Sequence, residues 1–261
     1  MMRSLQGPVR FALVGALILL WVIVAGATLL VLRSSRQSQR LRLKILMVLS
    51  GLALRTMGFH ISINADLGAR LAGRPAFIVS NHLSWIDVLI IASLHPTVFV
   101  TSVEVRDSGF LGTLCKLAGC HFVERRNRSD IANEVERLAE ELRGGLSVCV
   151  FPEGTTSTGA AVLPFKVSLF DAAIAAGVAV QPICLNYLDI DGTPVDLESG
   201  RKVFWYGDMD FLPHFWSLMF VRKVSVRATI LEKIPASPQL DRKGLAQAAH
   251  ATITSQYVQM A

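Results

Sequence analysis

The sequence is short of charge. Only 18% of its 261 residues are charged, against about 25% in an ordinary soluble chain, and 52% are hydrophobic. That excludes a disordered or fibrous chain and suits a membrane segment. Acidic residues are missing altogether from residues 1–58, where Arg3, Arg10, Arg33, Arg36, Arg40, Arg42, Lys44 and Arg55 give a charge of +8. The remaining 203 residues carry 18 basic and 20 acidic side chains. The basic excess therefore sits on one arm and not over the folded body, which points to an anionic membrane surface and away from nucleic acid.

Cysteine is scarce and unpatterned. Cys115, Cys120, Cys149 and Cys184 make no C-x-x-C pair, and no histidine is spaced to complete a zinc site, so no metal is expected. Cys149 and Cys184 lie in apolar, strand-like runs and read as buried thiols. There is no G-x-S-x-G, so a serine nucleophile elbow is excluded. A Walker loop is excluded too: Gly154 and Gly159 have its spacing, but Ala160 stands where lysine is required.

What is present begins with 22 uncharged residues at 11–32, FALVGALILLWVIVAGATLLVL. As a helix they extend about 33 Å, enough for a hydrocarbon core of about 30 Å. A cleaved signal would have a shorter apolar region and a small-residue cleavage site; here Arg33, Arg36 and Arg40 follow instead. Residues 1–33 are read as an uncleaved transmembrane anchor. The positive-inside rule then puts the body in the cytoplasm, on the inner membrane if the source is bacterial. Residues 34–60 are a basic segment whose apolar part, 41–59, reads as an interfacial or re-entrant helix, with a buried core helix as the alternative.

Residues 61–261 alternate strand-like runs (76–80, 98–101, 121–124, 147–151, 178–187) with helical patterns (85–94, 109–118, 129–143, 164–176). A late strand at 224–231 and a closing helix at 241–260 complete the chain. Ser129 or Asp130 is placed to cap the third helix. The fold class expected is α/β: a single domain with a mostly parallel sheet flanked by helices, behind an N-terminal membrane helix.

Chemistry in such sheets collects at the carboxyl ends of strands. After the first strand comes Asn81-His82-Leu83-Ser84-Trp85-Ile86-Asp87. Histidine is suited to take a proton near neutral pH, and a carboxylate five residues on can fold back to orient it. Equally, Asp87 could cap a helix and His82 could be a turn residue. After the fourth strand, Pro152-Glu153-Gly154-Thr155 makes a turn able to hold an anion with backbone N–H groups, or a plain Pro-Gly turn. Between them lie Gly119, Phe122 and Arg125, with Arg126 and Arg128, placed to grip a phosphate or forming a solvated charge run. His214 reads as structural or superficial, and His60, His95, His121 and His250 have no carboxylate at useful spacing.

Taken in order, N-H-x4-D, G-x-x-F-x-x-R, F-P-E-G-T-x-S and the proline-bearing strand Val180-Gln181-Pro182-Ile183 resemble the glycerolipid acyltransferase family over about a hundred residues. The closest resemblance is to the branch acting on lysophosphatidic acid and related lysolipids. It implies an O-acyltransferase that moves a fatty acyl group from acyl-CoA or acyl-carrier protein to 1-acylglycerol-3-phosphate, with no other cofactor. It also implies His82 as general base, Asp87 as its orienting partner and Arg125 as the phosphate ligand. Gly119 and Phe122 would shape that loop, and Asn81, Glu153, Gly154, Thr155 and Lys166 would belong to the substrate site. Ser168 replaces a glycine of the family, and Ser102-Val103-Glu104 lacks its usual basic residue, so the acceptor headgroup is the open point. Residues 206–214 resemble relatives that acylate lyso-ornithine lipid, which makes that acceptor the alternative. A membrane-tethered lipid-binding module and a hydrolase are the readings from other classes.

Overall fold

The computed structural model describes residues 2–33, 35–71, 73–124, 128–236 and 240–260. It opens with a helical hairpin, α1 (Met2–Leu32) and α2 (Arg36–Thr56), in which Ser35 caps α2 by accepting from the Ser38 N–H at 3.2 Å. In α1 the buried residues Gly7, Val14, Trp21 and Thr28 recur every seventh position, a narrow seam of the coiled-coil kind. Trp21 and Ala25 pack against Leu49 of α2 and Ala118, and the Thr28 carbonyl accepts from Ser38. The other end meets the body as well, where Phe11 lies 5.5 Å from Phe215 between ring centroids. Helix α1 is long and apolar enough to cross a membrane, with mean hydropathy 2.7 over its richest window, yet it lies along the body and does not project from it.

Helix α2 has two faces. Leu43 and Leu54, with Met57 just beyond, are buried in the same core as Ile86, Ile90 and Ile91, while Leu41, Val48 and Leu52 remain exposed. The inward face makes α2 a wall of the domain. Gly58, at φ +87°, then turns the chain; a Cβ there would strike the Arg222 carbonyl.

The body continues β1 (Phe59–Ile63), α3 (Leu67–Leu71), β2 (Phe77–Ser80), α4 (Ile86–Leu94), β3 (Thr97–Ser102), α5 (Val103–Arg106), α6 (Phe110–Ala118), β4 (His121–Val123), α7 (Arg128–Arg143) and β5 (Ser147–Val150). After these come α8 (Asp171–Ala176), β6 (Val180–Ile190), β7 (Thr193–Pro194), α9 (Phe211–Leu218), β8 (Val224–Ile230) and α10 (Arg242–Thr254). The strands form one sheet in the order β1-β8-β6-β2-β5-β3-β4, parallel from β6 to β4, with β8 antiparallel to β6 and β7 a short antiparallel addition to β6. Strands β2 and β5 are buried at every position, as continuous apolar runs covered on both faces should be. The chain leaves β2 toward β3 on one side and later returns through β5 to β6 on the other. The crevice that such a reversal opens lies at the carboxyl end of β2.

Four expectations need correcting. The helix expected at 164–176 shrinks to a 3-10 turn (Ser168–Phe170) and α8, because the Leu163 and Lys166 N–H groups are spent on Glu153 and on the Pro152 carbonyl. The closing helix stops at Thr254, and the tail turns back: Tyr257 donates to the Gly159 carbonyl at 2.7 Å and Val258 to Asn186 at 2.8 Å. Strand β1 and helix α9 had no counterpart in the sequence reading. Finally, His121 does have carboxylate partners, Glu134 at 2.6 Å and Glu141 at 3.3 Å, both on α7 and therefore distant in sequence. The expected cap at Ser129 or Asp130 lies outside the described side chains.

The His121 cluster has a measurable consequence. Burial opposes the charged ring, but the two carboxylates prevail and lift its pKa from 6.5 to about 9. The imidazolium thus contributes on the order of 3 kcal/mol, fully present below the unfolded pKa of 6.5 and lost as pH rises through about 9. Detergent-solubilised protein should lose more thermal stability between about pH 6 and about pH 10 than the His121→Gln variant, whose two pH curves should converge at the alkaline end.

Candidate active site

The turn between β2 and α4 carries His82, and the fold holds that turn from three directions. From β6, the Asn81 amide donates to the Leu185 carbonyl at 2.9 Å and accepts its N–H at 2.8 Å, extending the β2–β6 ladder by a side chain. From the loop after β5, the Glu153 carboxylate accepts the His82 N–H at 2.7 Å and the Ser157 N–H donates to the His82 carbonyl at 3.0 Å. From residues 203–205, the Val203 carbonyl accepts from the Ser84 hydroxyl at 2.8 Å and the Trp205 N–H donates to Leu83 at 3.0 Å.

Within this frame His82 Nδ1 lies 2.9 Å from Asp87 Oδ2. That oxygen also accepts the Leu83 and Ser84 N–H groups at 2.6 and 2.8 Å, and the Tyr187 hydroxyl donates to Oδ1 at 2.7 Å. Asp87 is fully buried, so four donors converge on a side chain that water does not reach. With its Nδ1 proton directed at Asp87, His82 keeps the Nε2 lone pair free to act as a base. The ring stacks on Phe151 at 3.9 Å between centroids and 15° between planes, and its side chain is 17% exposed. A buried orienting carboxylate, a fixed ring and an outward-facing nitrogen can remove a proton from a hydroxyl brought alongside.

Glu153 is placed differently from its expected part in the substrate site. It is 4% exposed, and its two oxygens are occupied by the His82 and Leu163 N–H groups. Burial is the main force raising its carboxyl to about 7; the two N–H bonds pull the other way and the Asp87 charge adds to the rise. Asn81 is likewise committed to Leu185, so both residues brace the turn. Gly154, at φ +74°, lies under Lys166, whose chain would collide with any Cβ there, and Thr155 is exposed beside it. An open groove of about 310 Å³ runs between residues 156–163 and Tyr206–Gly207, next to the Ser157 that clamps His82.

Of the group Gly119, Phe122 and Arg125, the two described residues are not brought to this turn. Gly119 ends α6 in the left-handed conformation, and Phe122 sits on the edge strand β4. Three strand spacings, about 14 Å, separate β4 from β2. Arg125 lies outside the described residues. His214 is buried, as the structural reading expected, and accepts from the Trp85 indole N–H at 3.1 Å; burial lowers its pKa. Sequence reasoning missed Tyr187, and it gave Phe151, the first residue of the F-P-E-G-T-x-S block, no role against the His82 ring. The available signal for Tyr187 was one of only three tyrosines set inside an apolar strand. Among the described residues no group of His, Cys, Asp and Glu is arranged to hold a metal.

Comparison with known proteins gives the family of the chain. A profile described as Acyltransferase matches residues 62–186. The lyso-ornithine lipid O-acyltransferase of Brucella abortus is 34% identical over 200 residues, 74% of either chain, and that of Pseudomonas aeruginosa is 38% identical over 180 residues, 69% of this chain and 67% of that one. The 1-acyl-sn-glycerol-3-phosphate acyltransferase of Neisseria meningitidis serogroup B is 30% identical over 200 residues, 74% of this chain and 76% of its own. The crystal structure of the Thermotoga maritima 1-acyl-sn-glycerophosphate acyltransferase PlsC superposes with a TM-score of 0.66, covering 98% of this chain and 96% of that one, at 18% identity, a likeness of fold. The matched region carries the His82–Asp87 turn, β2, β5 and most of β6, and on that ground this chain belongs to the Acyltransferase family.

Proposed function

We propose that the chain is a lysolipid O-acyltransferase working by direct transfer, and the observation that carries this is the His82–Asp87–Tyr187 chain of hydrogen bonds. His82 Nε2 takes the proton of the acceptor hydroxyl as its oxygen attacks a thioester carbonyl, of acyl-CoA or of acyl-carrier protein. The C–O bond forms, the C–S bond breaks, and the proton passes from the imidazolium to the leaving thiolate. Asp87 holds the ring and offsets the charge that forms on it. An acyl-enzyme is not required. Cys149 and Cys184 lie buried beneath the site, and burial is the main cause that raises both thiols, Cys184 to about 12, so neither is a ready nucleophile.

For the acceptor, lyso-ornithine lipid is favoured by the identities of 34% and 38% to enzymes named for it. The second reading is 1-acylglycerol-3-phosphate, supported by the 30% relative and by Lys166 lying over Gly154, an ammonium that could meet a phosphate. The apolar α1 and the acid-free arm support a membrane site on the cytoplasmic face of an anionic bilayer.

Purified protein given labelled acyl-CoA and a panel of lysolipids tests the whole reading. Label should appear in the diacylated ornithine lipid. Label in phosphatidic acid alone would move the acceptor to the second reading. Free fatty acid without acceptor would indicate a hydrolase, and lipid binding without transfer a tethered binding module.

A further inference from the structure

Helix α9 turns two apolar faces to different surroundings. Its inward residues His214, Phe215 and Leu218 are buried, and Trp85, in the turn that carries His82, packs on Phe211 and Phe215 at 5.3 and 5.7 Å between ring centroids. On the outward face Leu212 is 64% exposed, Trp216 42%, and Phe220, in the turn that follows, 43%. These three are four residues apart and form one stripe. In a helix facing water that stripe would be polar.

The stripe continues a larger surface. Phe11 of α1 meets Trp216 edge-on at 5.0 Å, and Trp216 meets Phe220 at 5.4 Å. The Arg10 guanidinium donates to the Val221 and Arg222 carbonyls, and Gly7 leaves room for the Phe220 ring. Phe11, itself 39% exposed, is thereby fixed beside α9. Exposed cations border the patch: Arg222 and Lys223 follow Phe220 in the chain, and Lys202 lines one groove together with Phe220 and Asp191. Asp191 lies 3.9 Å from Arg222, while Asp208 and Asp210 stand at the opposite, amino-terminal end of the helix. Bulky apolar and aromatic side chains bordered by basic ones are the composition of a helix lying at the boundary of headgroups and acyl chains in an anionic bilayer.

We propose that α9 with Phe220 is a second membrane-contact element, remote in sequence from the hydrophobic arm, which seats Leu212, Trp216 and Phe220 in an anionic leaflet. It holds the Trp85 side of the His82 turn against the lipid from which the acceptor comes. Its role in acylation rests on the function proposed above; the insertion itself does not.

Full-length protein in phosphatidylcholine–phosphatidylglycerol vesicles containing chain-brominated phosphatidylcholine tests the insertion by tryptophan quenching. Quenching should fall in Trp216→Phe relative to the parent, and equal quenching in both overturns the proposal. In a second arm, the Leu212→Asp/Phe220→Asp variant should keep parental transfer to an acceptor in detergent micelles while its KM for acceptor embedded in vesicles rises about tenfold. An unchanged KM in vesicles counts against the insertion. Were both proteins inactive in micelles and vesicles alike, the acyl-transfer reading would fail, and the quenching result would still decide the insertion. A parent that is dimeric in detergent, becomes monomeric in the Leu212→Asp/Phe220→Asp variant and shows no Trp216 quenching would make the stripe a contact between copies of the chain, and would overturn the proposal.

Discussion

Replacing His82 by alanine is expected to lower the rate of acyl transfer roughly a hundred- to ten-thousandfold, the range that a positioned general base contributes. The fold should survive the change. What holds the turn uses the His82 main chain, through Glu153 and Ser157, and these bonds do not need the ring. Initial rates with labelled acyl-CoA in mixed micelles, set beside a thermal melt, separate the two effects. A variant that melts like the parent and transfers acyl groups at the parental rate would remove His82 from the mechanism.

Asp87→Asn should be as damaging to the rate and, unlike His82→Ala, damaging to stability. An asparagine offers one acceptor and an NH2 group where four donors now point. If the NH2 turns to His82, the ring must present Nδ1 as an acceptor, its proton moves to Nε2, and the base is lost, as triad logic requires. If it turns to Tyr187, the buried hydroxyl loses its acceptor. Each buried donor left unpaired costs about 1–3 kcal/mol, so a clear drop in melting temperature should accompany the loss of rate. Because the two residues act as one unit, the double variant His82→Ala/Asp87→Asn should be hardly slower than either single one. Multiplying losses would show that Asp87 acts on the rate apart from His82.

The parts of this chain that could be read from sequence are those where local pattern and tertiary role coincide. Residues 77–79 and 148–150 are apolar throughout because helices cover both faces of the central sheet, and that leaves a recognisable run. Strand β1 leaves no such run: it follows directly on a helical pattern, and four of its five residues are exposed or partly so beside β8. Residues 164–167 belong to a helical pattern, but the N–H groups of Lys166 and of the preceding Leu163 are drawn into bonds with the loop at 152–153, which no local pattern reports.

The site divides in the same way. His82 and Asp87 are five residues apart on one turn, so their pairing was legible. Tyr187 reaches Asp87 from a hundred residues away, and only the β2–β6 pairing brings it there. For Glu153 the residue type suits either a ligand or a brace, and burial is what separates the two. His121 shows the limit of reading by spacing: its partners lie thirteen and twenty residues on, along a helix whose packing had to be known first.

The inward face of α2 bears on how this enzyme could ever be handled away from lipid. Leu43, Leu54 and Met57 are each at most 2% exposed and belong to the same core as the helix that follows the His82 turn. Together they represent roughly 5–9 kcal/mol of buried apolar surface, comparable to the whole stability of a typical domain. Trimming residues 1–58 to obtain a water-soluble catalyst would therefore strip the scaffold behind His82, and detergent or lipid has to accompany the protein through every purification.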